Sequence, residues 1–220
     1  SLFVENDPEK VNKLIEEITK GLEFDIKVDK VYSRVFFTES KKRYAGLTPE
    51  GKIDIVGFEA VRGDWSELAK DTQAKVAEIV LRTDDVRKAI DYVKEIISQL
   101  RAGKVDVEKL VIWKTLTKRP SEYEAETPHA YVAKIMEKLG FKVDVGSKIG
   151  YVIVKGEGPV SRRARPYFMV KPTEIDVNYY IDKQVVPAAL RILGFFGVSE
   201  RDLKSEARQV SLFDFIQKKK

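Results

Sequence analysis

Cysteine is absent from this 220-residue chain, which excludes disulfide bonds and thiolate chemistry. Histidine occurs once, as His129, and this argues against a histidine-rich metal site. No apolar run approaches the length of a membrane span, and the first residues lack the basic start and apolar stretch of a signal peptide. We therefore expect a cytoplasmic protein that has no membrane partner.

Recognisable enzymatic motifs are also missing. The chain has no P-loop, no paired-glycine dinucleotide fingerprint and no nucleophile elbow. Asp25 and Asp29 would share one face of a predicted strand and could bind Mg²⁺, but solvated surface acids are the commoner explanation of such a pair. Spacing alone therefore predicts no active site, and Asp29 is kept only as the less favoured metal-ligand candidate.

Charged residues are plentiful by contrast. They make up 34% of the chain, with 40 Lys and Arg against 35 Asp and Glu, for a net charge of +5. This density, without cysteine and with only two methionines, is typical of heat-adapted proteins. The net charge permits a polyanionic partner without requiring one.

The first 58 residues alternate between one helix and several strands. Asp7 and Pro8 are typical of a helix start, and apolar alternation predicts a strand over residues 24–37. Residues 48–51 form a hairpin-turn pattern, and residues 53–56 read as the returning strand.

After about residue 60 the pattern becomes mostly helical. A capping box at Asp64 predicts one helix, a second begins near Asp84 and stops before Gly103, and the two are expected to pair antiparallel. Strands are predicted at residues 110–116 and 149–154. A helix capped by Thr127 lies between them and ends at Gly140, and a last helix, capped by Asp176, should kink at Pro187. The fold class is therefore α+β with segregated parts, followed by a polar tail after about residue 205.

Cationic residues gather at the ends of predicted elements. Loops at strand ends suit phosphate contacts because a rigid sheet directs the side chains outward. Solvated surface is the competing interpretation, and composition leaves both open. The clusters comprise Lys41, Lys42, Arg43 and Tyr44; Thr117, Lys118 and Arg119; and Lys155, Arg162, Arg163 and Arg165.

The tail carries one short apolar group in a polar setting. Leu212 and Phe215 would face the same way on a single helical turn, preceded by Gln209 and followed by Ile216. Such a plug could dock into a partner's groove or fold back on its own domain, and the pattern does not choose between them.

Several of these segments resemble motifs of archaeal-type family B DNA polymerases, in the family's order and over essentially the whole chain. Residues 1–4 are similar to the strand after the Y-x-D-T-D motif, residues 41–44 to K-K-x-Y, and residues 57–67 to the palm-to-thumb junction. The remaining similar segments are residues 70–73, 116–118, 128–129, 151–156 and 179–185.

The resemblance implies a division of the chain and a role for each cluster. Residues 1–58 would end the palm, with its antiparallel sheet and a helix. Residues 59–205 would form a mostly helical thumb with a small strand element, and residues 206–220 a flexible tail that binds a sliding clamp. The DNA contacts implied are Lys41, Lys42, Arg43 and Tyr44 near the insertion site, Arg62 and Asp64 at the junction, and Thr117, Lys118, Arg119, Lys155 and Arg163 along the thumb.

Some positions depart from the family's usual residues. Lys118 replaces a common arginine, which keeps the charge but loses the planar fork. In the tail, Gln209, Leu212 and Phe215 would anchor the clamp, whereas Ile216 stands where a second aromatic is usual, so affinity is expected to be reduced. Asp29 falls where the family often has a carboxylate near the metals.

The metal-binding aspartates of Y-x-D-T-D would lie immediately before Ser1 and are absent. Phosphoryl transfer with two Mg²⁺ ions would need a larger chain with those residues, the fingers and the exonuclease. We therefore expect the small subunit of a split DNA-directed DNA polymerase that completes the palm, grips primer–template DNA and is not catalytic alone. The alternatives are a stand-alone nucleic-acid-binding module and a clamp-interacting adaptor.

Overall fold

The computed structural model describes residues 7–20, 27–38, 42–61 and 64–205. Over these ranges the fold is α+β, as predicted from the sequence, with two small antiparallel sheets and several helices. The helices are α1 (Pro8–Thr19), α2 (Glu67–Thr83), α3 (Val86–Arg101), α4 (Val107–Leu110), α5 (Pro128–Lys138), α6 (Val177–Tyr180), α7 (Val186–Leu193) and α8 (Glu200–Lys204). The strands are β1 (Arg34–Phe37), β2 (Tyr44–Leu47), β3 (Ile53–Val56), β4 (Ile112–Thr115), β5 (Lys148–Ile153) and β6 (Ala164–Pro166).

The first sheet has the order β1-β2-β3. Its register places Val35 opposite Gly46 and Ala45 opposite Ile55. Gly46 is required there, because a Cβ at this position would lie 2.4 Å from the ring of Tyr32. The predicted hairpin turn between β2 and β3 is confirmed, with the N–H of Gly51 donating to the carbonyl of Thr48 at 2.9 Å.

The strand predicted over residues 24–37 is wrong over residues 27–33 and confirmed over residues 34–37. Residues 21–26 lie outside the described part of the chain, residues 27–33 are not in a strand, and only Arg34–Phe37 forms β1. The reason is the length of the neighbouring strand, since β2 ends at Leu47 and turns away. The ladder closes with the N–H of Ser33 donating to the carbonyl of Leu47. Apolar alternation without a partner strand does not make a strand.

The second sheet has the order β4-β5-β6. Trp113 of β4 lies opposite Gly150 of β5, and a Cβ on Gly150 would approach the Trp113 ring to 2.7 Å. The strands predicted at 110–116 and 149–154 are confirmed within two residues at each end. Strand β6 was not predicted, because it is only three residues long and contains Pro166.

Two helices start at different residues from those predicted, because other side chains cap them. Helix α2 is capped by Ser66, whose side chain accepts from the N–H of Ala69 at 3.3 Å, and not by Asp64. Asp84 ends α2 in a left-handed conformation. The side chain of Asp85 caps α3 by accepting from the backbone N–H groups of Arg87 and Lys88. Thr127 precedes α5 as predicted, but its side chain makes no capping hydrogen bond.

The last long helix is interrupted in front of its proline. Helix α6 passes through a π-helical segment, Ile181–Val185, into α7, and Pro187 lies in the first turn of α7. Proline lacks an N–H and crowds the preceding turn, so an interruption at this position agrees with the predicted kink.

One continuous core joins the first sheet to the helices and the second sheet. It includes Phe36 of β1, Phe58 after β3, Val76 of α2, Val152 of β5 and Ile192 of α7. The described helices are all too short or too polar to span a bilayer.

Candidate nucleic-acid interface

The first basic cluster lies where the chain enters β2. Lys41 is outside the described residues, and Lys42 is exposed with a left-handed backbone (φ 62°). This turn packs closely against Gly57, where a Cβ would come within 2.2 Å of the Lys42 carbonyl oxygen. Tyr44 begins β2, and its ring centroid lies 6.1 Å from those of Tyr32 and Phe37. The tight turn thus presents Lys42 to solvent beside an aromatic surface.

Arg43 points the other way, into the protein. Its Nη2 lies 3.8 Å from Oε1 of Glu59, a carboxylate that is 1% exposed. Arg62 lies outside the described residues, and Asp64 forms an ion pair of 3.6 Å with Lys114.

The second cluster follows β4 in a loop that is held by hydrogen bonds from its backbone N–H groups to two side chains. The N–H of Thr117 donates to Oη of Tyr123 at 2.9 Å, and the N–H of Arg119 donates to a carboxylate oxygen of Glu122 at 3.0 Å. The intervening Lys118 is exposed. These backbone contacts hold the loop while its cationic side chains face solvent.

His129 packs behind this loop, with its ring centroid 5.2 Å from that of Tyr123 in an edge-on arrangement. Burial lowers the pKa of His129 below its ordinary value, and the charge of Lys114 lowers it further. His129 is therefore neutral at neutral pH and serves as a packing residue for the loop.

Arg163, the central residue of the third cluster, is half-buried. Its Nη1 donates to a carboxylate oxygen of Asp176 and to the carbonyl of Val154, the latter at 3.4 Å. Asp176 also accepts from the N–H of Tyr179 at 3.1 Å, so the predicted helix cap has a second role. Neither Nε of Arg163 nor Oγ1 of Thr127 has a hydrogen-bond partner among the described residues, although both are buried.

The other cations of this cluster lie at the surface but are partly engaged. Nζ of Lys155 donates to the carbonyl of Thr173 at 2.9 Å. Arg162 pairs with Glu126 at 2.7 Å, and Arg165 lies over the ring of Tyr131 at 5.9 Å.

The strand register places the second and third clusters at opposite ends of the second sheet. Thr115, the last residue of β4, pairs with Lys148, the first residue of β5, whereas Ile153 at the far end of β5 pairs with Ala164. The loop after β4 and the loop after β5 are therefore separated by the length of a six-residue strand, roughly 20 Å.

Metal-binding geometry does not accompany these cations. Asp29 is exposed and outside any strand, and Asp25 lies outside the described residues. In the four described ranges, no group of three or more His, Cys, Asp or Glu side chains is arranged to hold a metal ion. The predicted clamp contacts, Gln209, Leu212, Phe215 and Ile216, lie outside the described residues.

Sequence reasoning missed the buried polar residues between the first sheet and the helices. Glu59 and Gln73 are almost completely buried, and both take part in hydrogen bonds. The available signal was Glu59 itself, which is an isolated acid among Phe58, Ala60 and Val61.

Comparison with known proteins identifies the relatives of this arrangement. The family model for DNA polymerase family B matches residues 6–195. The chain belongs to DNA polymerase family B. DNA polymerase 2 of Aeropyrum pernix is 65% identical over the whole chain, which covers 27% of that protein. A DNA polymerase of Archaeoglobus fulgidus is 42% identical over 94% of the chain, which covers 28% of it.

A solved structure of this family has a similar fold. The family B DNA polymerase from the hyperthermophilic archaeon Pyrobaculum calidifontis is 48% identical, with a TM-score of 0.70 over 86% of this chain and 25% of its own. The chain thus spans about a quarter of the length of these polymerases. The expected resemblance to archaeal-type family B polymerases is confirmed.

Proposed function

We propose that this chain is the part of a DNA-directed DNA polymerase that completes the palm and holds primer–template DNA through the thumb. Membership of family B supports this assignment. The observation that carries it is the pair of basic loops at opposite ends of the second sheet, which present Lys118 and Lys155 at the surface. A separation of roughly 20 Å corresponds to about six base pairs along a duplex.

On this proposal, residues 1–58 belong to the palm and residues 59–205 to the thumb. Lys42 and Tyr44 would contact the duplex near the insertion site, and the two loops would follow its backbone away from that site. Such contacts do not read base sequence, and they weaken with salt because binding releases counterions. Arg43 and Arg163 could reach phosphates only by sharing or leaving their carboxylates, so they would contribute less than the exposed lysines.

Catalysis is assigned to a larger polymerase chain with the exonuclease, the fingers and the Y-x-D-T-D motif. That chain would hold Mg²⁺, which supplies charge stabilisation for phosphoryl transfer when bound. The residues of this chain would position the primer end. The tail, through Gln209, Leu212, Phe215 and Ile216, would tether the assembly to a sliding clamp and raise its effective concentration at the primer.

The proposed contact between the basic loops and DNA is tested by the salt dependence of primer–template binding. Lys118→Ala removes one exposed cation of the loop after β4, and we expect weaker binding for every duplex sequence, with the salt slope reduced by about one. We expect Lys42→Ala to weaken binding and to reduce the salt slope in the same way.

Lys88→Ala is the matched control, because Lys88 is an exposed lysine of α3 that pairs only loosely with Asp85 at 3.9 Å. If Lys118→Ala and Lys88→Ala shift binding equally, the loop after β4 is ordinary solvated surface.

The subunit role is tested by reconstitution. Adding this chain to a fragment that carries the exonuclease, fingers and Y-x-D-T-D motif should increase primer extension well above that of the fragment alone. A chain that binds primed DNA but neither associates with the fragment nor stimulates it would be a stand-alone nucleic-acid-binding module.

The clamp role is tested in the same assembly. Leu212→Ala together with Phe215→Ala should remove the stimulation by a clamp and spare distributive synthesis. Equal loss of both activities would make the tail a structural element.

A further inference from the structure

A buried carboxylate joins the first sheet to the helices. Glu59 lies in a 3₁₀ turn, Glu59–Val61, between β3 and α2, and it is 1% exposed. Its Oε1 faces Arg43 from the turn before β2 at 3.8 Å and Arg191 from α7 at 3.4 Å. Glu59 therefore lies between one cation beside the first sheet, Arg43, and one cation of the helical part, Arg191.

The second oxygen of Glu59 continues the connection into α2. Nε2 of Gln73 donates to Oε2 of Glu59 at 2.8 Å and to the carbonyl of Ala188 at 2.7 Å. Oε1 of Gln73 accepts from the N–H of Ala60 at 2.7 Å. Gln73 is fully buried and uses both of its amide donors and its acceptor in these hydrogen bonds. Gln73 ties the turn before α2 to α2 itself and to α7. The cluster of Glu59 with Arg43, Gln73 and Arg191 is called the Glu59 joint below.

Contacts of two other kinds also connect the same parts. Phe36 of β1 packs edge-on against Phe196, which follows α7, with centroids 6.1 Å apart. At the far end of α2, Nη2 of Arg82 donates to the carbonyl of Gly51 at 2.7 Å, and Nη1 of Arg34 donates to that of Leu81 at 3.3 Å. Apolar packing holds surfaces together without fixing direction, whereas hydrogen bonds to a buried charge are directional.

Helix α2 is thus attached to the first sheet at two separated places. The Glu59 joint reaches α2 at Gln73, in its N-terminal half, and the exposed bond between Arg82 and Gly51 lies at its C-terminal end. A helix that is attached at two separated places has a fixed angle to the sheet, whereas a helix with a single attachment can rotate about it. Loss of the Glu59 charge would leave Arg43 and Arg191 without their shared counterion, and the contacts that remain, from Arg82, Arg34 and Phe36, would restrain the angle less tightly.

We propose that Glu59 is a positioning residue whose carboxylate, held by Arg43, Gln73 and Arg191, fixes the orientation of the helical part relative to the first sheet. The consequence for DNA rests on the proposed function. Lys42 beside the first sheet and Lys118 on the loop after β4 can engage one duplex together only if their separation is kept. A rigid joint raises the effective concentration of the second contact once the first has formed.

The test compares Glu59→Gln with Asp71→Asn. Glu59→Gln keeps the shape of the side chain and removes its charge. Asp71→Asn removes a carboxylate charge from α2 at an exposed ion pair with Lys109, whose Nζ lies 2.6 Å away. Because the chain has no cysteine, spin labels can be attached to cysteines introduced at Lys52, in the turn before β3, and at Lys183, in the π segment. The distance distribution between the labels reports the orientation directly.

We expect Glu59→Gln to broaden or shift this distribution at unchanged helix content, and Asp71→Asn to leave it as in the parent chain. Primer–template affinity should fall roughly tenfold for Glu59→Gln. An unchanged distribution in Glu59→Gln would overturn the inference. Should Glu59→Gln fail to fold, Arg191→Gln, which removes a half-exposed partner (52% exposed), provides the same measurement.

The label distance does not depend on DNA. If the parent chain binds no primer–template, the proposed function fails while the positioning role is still decided by the distance distribution. If DNA binds but the distribution does not respond to Glu59→Gln, the positioning role alone is wrong.

Discussion

The two three-stranded sheets of this chain are similar in size but are buried to different extents. In the second sheet, five consecutive residues of β5, from Ile149 to Ile153, are buried. In the first sheet, β3 has no buried residue, and Val35 and Phe37 of β1 are each 37% exposed. Alternating exposure is usual for a sheet with one solvated face, whereas a continuous buried run requires cover on both faces.

Different interactions accompany this difference. Above the second sheet, Tyr180 is fully buried, and its Oη accepts from the N–H of Ile153 at 3.1 Å. The first sheet carries polar contacts on its surface, where Oη of Tyr32 and Nζ of Lys30 both donate to Oδ2 of Asp54, at 2.9 and 2.6 Å. We infer that the second sheet is stabilised chiefly by apolar burial and that the first relies more on partly exposed polar bonds.

Truncation of matched isoleucines should show the difference most strongly. Ile153→Ala removes a fully buried side chain of β5 and should cost about 2–5 kcal/mol, because it leaves a cavity. Ile53→Ala, in the partly exposed strand β3, should cost about 1 kcal/mol. Chemical denaturation of both variants measures the difference. Equal losses would mean that the two sheets are equally stabilised by burial.

Removal of matched tyrosine hydroxyls should give a smaller difference of the same sign. Tyr180→Phe leaves the buried N–H of Ile153 without an acceptor and should cost roughly 1–3 kcal/mol. Tyr32→Phe leaves Asp54 still paired with Lys30 at the surface and should cost about 0.5 kcal/mol. Melting temperatures of the two variants test this order, and a larger loss for Tyr32→Phe would reverse the comparison.

The smallest effect concerns pH and the one histidine. Because burial lowers the pKa of His129 below 6.5, the unfolded chain binds a proton more readily, and stability should fall as the pH drops below 6.5. Between pH 7.5 and 5.5 we expect His129→Gln to lose roughly 1–2 °C less of its Tm than the parent chain does. Parallel pH dependence of His129→Gln and the parent chain between pH 7.5 and 5.5 would contradict the burial of a neutral His129.

The contribution of Asp54 should be lost at lower pH than that of His129. The hydrogen bond from Lys30 lowers the pKa of Asp54, so the stability that this contact gives the first sheet should fall only in stronger acid.

Much of the fold was predictable because its signals are local. Asp7 and Pro8 start α1, Asp176 caps α6, and apolar runs locate β4 and β5, since capping and side-chain periodicity act within a few residues. The family was likewise identified from the order of short motifs along the chain. The basic clusters were found by their position at the ends of predicted elements, and the structure places the exposed Lys42 and Lys118 on loops, as predicted.

The remaining features depended on residues far apart in sequence. Gln73 donates to a carbonyl 115 positions away, and Arg43 and Arg163 turn inward because Glu59 and Asp176 come to lie beside them. A sequence identifies cations but not which of them will meet a buried acid. The length of β1 was decided by where β2 turns, for the same reason. Local chemistry in the sequence therefore determined the elements and the family, while tertiary packing decided which charges are paired inside and which face solvent.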